Sequence, residues 1–220
     1  MIVLPRLYPI LDAGCFPDAL GLIAAAEELA AAGVTLIQYR NKSGNAKVML
    51  EHARELKNHL GSHSNGAKDA PLEWATQGPV RLIMNDRADL CLAAEFDGVH
   101  VGREDLSPES VRKIIGPGRW VGVSTHNPEQ LREADLTSAD YLAIGPVFAT
   151  SSKDKPDPVV GLEGVRRARG LTGKPLVAIG GITRGNAASV IEAGADSVAV
   201  ISDLLREPRK SAEEFFHILR

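Results

Sequence analysis

Short apolar runs alternate with stretches of helical periodicity along the whole chain. Eight runs stand out: YPILD from Tyr8, VTLIQYR from Val34, VRLIMND from Val80, DGVHV from Asp97, WVGVS from Trp120, YLAIGP from Tyr141, PLVAIGG from Pro175 and DSVAV from Asp196. Most are continuously apolar rather than alternating, as parallel strands covered on both faces are. Between them, apolar positions recur at helical spacing. Phe16 to Ala32 carries Leu20, Ile23, Ala24, Glu27 and Leu29 and meets a stop signal at Gly33. A second helix is predicted after Ser43. Ser107-Pro108 and Asn127-Pro128 read as capped helix starts with proline in the first turn, and Gln130 completes a capping box with Asn127. A further helix follows Thr183. The tail from Lys210, with Phe215, Phe216, Ile218 and Leu219, is predicted to close the structure.

The joints before the strands echo one another. AAGVTLI, EFDGVHV, SADYLAI and AGADSVAV each place a small or acidic turn ahead of a β-run. Eight βα units in 220 residues predict one domain over residues 1–220, a (β/α)8 TIM barrel. The alternative, an open doubly wound sheet, lacks its glycine-rich GxGxxG turn after the first strand. One segment breaks the rhythm. Gly61 to Gly78 is long and polar and precedes the third strand, so it is predicted on the face opposite the strand C-termini. With His59 and His63 in or beside it, it reads as a solvated insertion rather than a metal site.

Composition narrows the function. Apolar residues make up 44% and charged residues 24%, ordinary for a globular chain with one sizeable core. A net charge of −3 and 5% aromatic residues argue against nucleic acid as a partner, by field or by stacking. An anionic ligand must therefore be held by locally placed cations. Cys15 and Cys91 lie outside any CxxC spacing and read as free thiols of a reducing cytosol. MIVLPRLYPILD is too short, and too interrupted by Pro5, Arg6 and Pro9, for a signal peptide or a membrane span. A cytoplasmic protein without a membrane partner is expected.

In a barrel, side chains at the strand C-termini converge on one mouth. Gln38, Arg40 and Lys42 end the second run, and strand alternation turns them to one side as an anion clamp. Asn85 and Asp86 end the third run, with Asp105 following 19 residues after Asp86. Two carboxylates beside a cationic clamp suit Mg²⁺, which takes one or two carboxylates plus phosphate and water. The other reading is that each carboxylate caps the helix it precedes. Lys153 sits with Ser151, Ser152, Pro156 and Pro158 in a loop able to close over a ligand. Gly180-Gly181 after the seventh run, and Ile201-Ser202 opening a short helix after the eighth, offer backbone amides to a phosphate. His126 suits either acid–base work or a buried hydrogen bond, and His100 reads as a barrel-interior histidine.

Seven blocks in order resemble the thiamine-phosphate synthase (thiamine-phosphate pyrophosphorylase) family: QYRNK from Gln38, MNDRADL from Met84, GVHVGREDL from Gly98, GVSTH from Gly122, GPVFATSSK from Gly145, AIGGIT from Ala178 and AVISDL from Ala199. The resemblance implies a Mg²⁺-dependent transferase that joins a hydroxymethylpyrimidine diphosphate to a thiazole phosphate, plain or carboxylated, and releases diphosphate. It implies that Gln38, Arg40, Lys42, Asn85 and Lys153 hold the pyrimidine diphosphate and that Asp86 and Asp105 hold Mg²⁺. It places Ser124 by the reacting centre, and Thr150, Ser152, Gly181, Ile201 and Ser202 on the thiazole phosphate. It implies catalytic roles for Arg40, Ser124 and Lys153. Arg103, where the family often has Gln, is either a further cation near the metal or a surface residue. Two rivals are a thiazole tautomerase working through His126, and a ligand sensor of the thiamine pathway without catalysis. The intact diphosphate set argues against both. Oligomeric state is not written in the sequence.

Overall fold

The computed structural model describes residues 2–62, 79–150 and 157–220. Eight parallel strands close into a barrel in sequence order: β1 (Leu7–Asp12), β2 (Leu36–Arg40), β3 (Arg81–Asn85), β4 (Gly98–Val101), β5 (Trp120–Thr125), β6 (Tyr141–Ile144), β7 (Leu176–Ile179) and β8 (Ser197–Val200). Each falls within or beside a predicted run. The helices are α1 (Ala19–Ala31), α2 (Ala46–Ser62), α3 (Ala88–Ala93), α4 (Pro108–Ile115), α5 (Pro128–Asp135), α6 (Gly161–Arg169), α7 (Ala187–Glu192) and α8 (Pro208–Ile218). Continuous apolar runs are explained by two cores. Leu11, Ile37, Met84, Val99, Val121, Leu142 and Val198 face outward to the helices. Ile10, Leu36, Ile83, Ala143, Val177 and Ala199 fill the barrel, together with Tyr8 and Tyr141.

The acidic turn repeat has a structural cause. Asp97, Asp140 and Asp196 stand just ahead of β4, β6 and β8, and the Oδ2 of each accepts from the first free amide of the preceding strand. These amides are Leu82 N (2.9 Å), Val121 N (2.7 Å) and Leu176 N (2.8 Å). A cation pairs with each carboxylate: Lys57 at 3.6 Å, Arg112 at 2.5 Å and Arg169 at 2.7 Å. Such charge-assisted bonds pin strand register at the end away from the mouth.

Three local expectations are corrected. Helix α1 starts at Ala19, not Phe16, because Asp18 caps it by accepting from Gly21 N (2.9 Å), and a 3-10 turn capped by Asp12 occupies Ala13–Cys15. Leu20 is consequently 77% exposed, while Gly33, at φ 98°, does end the segment. The presumed insertion loses its first two residues, since Gly61 and Ser62 continue α2; residues 63–78, with His63, lie outside the described residues. Beyond β8, residues 202–206 form consecutive turns rather than a short helix.

The caps at Ser107 and Asn127 form as predicted. Asn127 Oδ1 accepts from Gln130 N (2.9 Å), and Gln130 Oε1 accepts from His126 N (2.9 Å), one residue before the cap. Helix α8 closes the shell by burying Phe215 completely. Phe215→Ala should cost about 3–5 kcal/mol through the cavity left between α8 and the barrel, read as a fall in the urea midpoint at unchanged slope. No helix among the described residues is long and apolar enough to cross a membrane.

Candidate active site

The polar residues gather at the C-terminal ends of the strands. Asp12 and Arg40 are register partners on β1 and β2, and the Arg40 guanidinium pairs with the Asp12 carboxylate, both side chains largely buried. Two residues deeper, Gln38 is 3% exposed and its Nε2 donates to Tyr8 OH (3.1 Å). Lys42 lies past the end of β2, exposed, and its Nζ meets Asp86 Oδ2 at 2.5 Å. Gln38 and Arg40 thus both meet residues of β1, while Lys42, beyond the strand, meets Asp86. Both cations, however, already hold a carboxylate, and Gln38 holds a phenol. Asn85, at the tip of β3, is buried and its side chain has no hydrogen-bond partner among the described residues.

Asp86 sits at φ 63°, in the left-handed region that Asp and Asn tolerate better than most residues. Its amide donates to His100 O (2.8 Å), which fixes that bend against β4. It caps nothing: Arg87 is the N-cap of α3 and makes no side-chain cap bond. Asp105 does not cap either, because Ser107 caps α4 and Asp105 Oδ2 accepts from Gly102 N (2.8 Å). Neither carboxylate is therefore spent on a helix cap, and the two lie close enough to feel each other's charge. Partial desolvation and then Asp86 push the Asp105 carboxyl above the usual range, against the pull of the Gly102 amide and Lys42. A crowded carboxylate pair facing the mouth fits a hard divalent cation. Among the described residues no third His, Cys, Asp or Glu joins it, so water or ligand oxygens would complete the shell. Arg103 is exposed.

On the opposite side of the mouth, Gly180 and Gly181 have φ values of 99° and 62°. A Cβ on Gly180 would strike Pro146, and one on Gly181 would strike Phe148 and the Ala149 carbonyl. The loops after β6 and β7 are thus backbone-to-backbone, tied by Val147 N to Ile179 O (2.9 Å) and Phe148 N to Gly180 O (3.0 Å). Arg184 fastens the next pair of loops: its backbone N donates to Asp203 Oδ2 (2.8 Å) and its guanidinium holds Asp203 and Glu214. Gly181 and Ile201 each stand two residues past the Ile179–Ala199 register pair. Thr150, half-buried, ends the described part of the β6 loop; Ser152 and Lys153 lie outside the described residues. Ser202 is exposed at the rim.

Both histidines are held by protein groups. His126 Nδ1 meets Gly145 O at 2.6 Å and its Nε2 lies 3.4 Å from Asp157 Oδ2, so it ties β5 to the β6 loop. His100 is an interior residue, as read from the sequence. Its Nδ1 meets Tyr141 OH (3.1 Å) and its Nε2 meets Ser124 Oγ (2.9 Å), and burial drives its pKa down to about 4. Burial also raises the phenols of Tyr8 and Tyr141. Cys15 and Cys91 are free; burial pushes the Cys91 thiol up to about 12. Asp12, Tyr8 and Tyr141 were not apparent in the sequence, where they read as ordinary strand residues.

The chain is similar to known proteins over nearly its whole length. The family described as thiamine monophosphate synthase matches residues 7–204. The chain is 59% identical over 219 residues to the thiamine-phosphate synthase of Koribacter versatilis, covering 98% of this chain and 96% of that one. It is 39% identical over 197 residues to the thiamine-phosphate synthase of Chloroflexus aurantiacus, covering 90% and 83%. Among solved structures, thiamine phosphate pyrophosphorylase from Pyrococcus furiosus superposes with a TM-score of 0.79 at 31% identity, covering 97% of this chain and 95% of that one.

Proposed function

Because this chain belongs to the thiamine monophosphate synthase family, we propose that it is a transferase joining a hydroxymethylpyrimidine diphosphate to a thiazole phosphate, with release of diphosphate and formation of thiamine phosphate. The observation that carries the reading is the cluster of Lys42, Asp86 and Asp105 beside Arg40 on one side of the mouth. It faces the double-glycine turn after β7 on the other. One side suits a diphosphate with a divalent cation, the other a monophosphate.

Asp86 and Asp105 are the residues that would hold Mg²⁺, which when bound neutralises charge on the leaving diphosphate. Arg40 offers a planar fork to phosphate oxygens and Lys42 a point charge, so the charge of the departing group is spread over fixed cations. Gln38, Asn85 and Lys153 complete the set that holds the pyrimidine diphosphate. Thr150, Ser152, Gly181, Ile201 and Ser202 hold the thiazole phosphate and so aim the thiazole nitrogen at the methylene carbon, where Ser124 stands. An aminopyrimidine stabilises positive charge on that carbon, so departure precedes attack and no strong base is needed. In keeping with this, both nitrogens of His100 and of His126 have protein partners. Two free thiols and the small-molecule chemistry suit a cytoplasmic enzyme.

The test is diphosphate release by the purified chain given both substrates, with Mg²⁺ and with excess chelator. Release that needs both substrates and is abolished by chelator is the expected result. Release independent of the thiazole phosphate, or none at all, would refute the coupling reaction.

A further inference from the structure

Beneath the mouth a line of hydrogen-bonded side chains crosses the barrel interior. Gln38 Nε2 meets Tyr8 OH (3.1 Å), and Tyr8 OH meets Tyr141 OH (2.9 Å). Tyr141 OH meets His100 Nδ1 (3.1 Å), and His100 Nε2 meets Ser124 Oγ (2.9 Å). Five strands supply the five residues. His100, Gly122 and Tyr141 are register partners on β4, β5 and β6. A Cβ on Gly122 would run into both the Tyr141 ring and His100 Nδ1, so the link passes over the one residue type that leaves room for it. Tyr8 and Tyr141 are 1% and 0% exposed and His100 is 7% exposed, so water does not compete for these bonds.

Counting protons gives the line a direction. Gln38 donates to the Tyr8 oxygen. The single Tyr8 proton then has the Tyr141 oxygen as its acceptor, and the Tyr141 proton has His100 Nδ1. An Nδ1 that accepts is bare. In a neutral imidazole the proton is then on Nε2, which donates to Ser124 Oγ. A charged imidazolium would still donate to Ser124 from Nε2, but it would also donate at Nδ1 and reverse the links to Tyr141 and Tyr8, driving the Tyr8 proton against the Gln38 NH₂. It would also bury a cation with no hydrogen-bonded carboxylate beside it.

We propose that Tyr8, Tyr141 and His100 are positioning residues forming a one-way hydrogen-bond relay, which turns Gln38 Oε1 and the Ser124 O–H toward the bound substrates. Ser124 keeps its O–H for a bound group, suited to an anionic leaving group, because it meets His100 as an acceptor. Gln38 is made an acceptor, suited to an amino group, because its Nε2 is taken by Tyr8. Gln38 Oε1 has no partner among the described residues and is not sealed off, since the side-chain atoms buried without a partner there are Ser138 Oγ and Ser197 Oγ. The relay couples the two ends: reversing Gln38 would reverse Ser124. This rests on the reading above in one respect, that Gln38 and Ser124 face substrate.

The first test is the tautomer of His100 in the full chain, read from long-range ¹H–¹⁵N correlations of ¹⁵N-histidine-labelled protein at neutral pH. Protonated Nε2 with bare Nδ1 is expected. Protonation at Nδ1, alone or with Nε2, overturns the relay. This result does not depend on turnover, so a chain that failed to release diphosphate would refute the function without touching the tautomer. The second test cuts the relay in the middle. Tyr141→Phe should lower kcat roughly tenfold, the scale of supporting-residue changes, with KM values little altered. In the Ser124→Ala background the same change should cost distinctly less, because only the Gln38 end of the line is left to disturb. An equal loss in both backgrounds would mean that Tyr141 does not act through Ser124 and would overturn the relay.

Discussion

Asp86→Asn should leave a folded barrel that releases diphosphate on the order of a thousandfold more slowly. Asparagine suits this position better than alanine as a probe. It keeps the shape, it tolerates the φ of 63°, and it leaves the backbone bond from residue 86 to His100 O in place. What it removes is a formal charge on one of two carboxylates that no helix cap has claimed. A hard divalent cation selects charged oxygen, and with Asp105 as the one remaining carboxylate its affinity should fall steeply. Lys42 would also lose its 2.5 Å partner and swing more freely at the rim. The expected signature is a rise in the Mg²⁺ concentration needed for half-maximal turnover, together with the lower maximal rate. Thermal melting should shift by only a few degrees, because Asp86 is half-exposed and outside the core. Turnover within a fewfold of the unchanged chain, at the same Mg²⁺ dependence, would sink the assignment of Asp86 as a metal ligand.

Residues that make their own local case were readable in advance. A run of apolar residues declares a buried strand, and Asn127-Pro128 with Gln130 declares a helix start, because the physics involved spans only a few residues. The strand ends carried the clamp and the carboxylate pair for the same reason: polar residues closing apolar runs stand out against their background. Asp12 closes β1 in just that way, yet its meaning depends on facing Arg40 across a register that barrel closure sets. Tyr8 and Tyr141 were harder still. In a strand buried on both faces, nothing local says which parity points inward, and a tyrosine reads as one more β-former. Only closure brings the two phenols within 2.9 Å and makes them polar groups that must be satisfied. The start of α1 was misplaced for a simpler cause. Phe16 fits the periodicity, but Asp18 offers the better cap, and the cap decides where the first turn begins.

Arg40→Met should lower kcat/KM for the pyrimidine diphosphate by about 10²–10³-fold, roughly 3–4 kcal/mol at the transition state. Two losses add. The fork proposed to grip phosphate oxygens is gone, and the Asp12 carboxylate it neutralised is left behind, its side chain only 13% exposed. An unpaired, mostly buried carboxylate beside a diphosphate repels the substrate and cannot be screened well by water. The two contributions are separable. Asp12→Asn added to Arg40→Met should recover at least several-fold of the lost kcat/KM, by removing the repulsion without restoring the grip. Asp12→Asn alone should have a smaller effect, with Arg40 still charged but less firmly aimed. Arg40→Lys should fall between, keeping a charge while losing the planar fork. The full cycle, measured at saturating thiazole phosphate, isolates the coupling between the two side chains. If Arg40→Met stays near the unchanged rate, Arg40 does not bind the diphosphate. If Asp12→Asn recovers nothing, the Asp12 carboxylate serves the fold at Gly14 and the barrel rim, and Arg40 acts on the substrate without it.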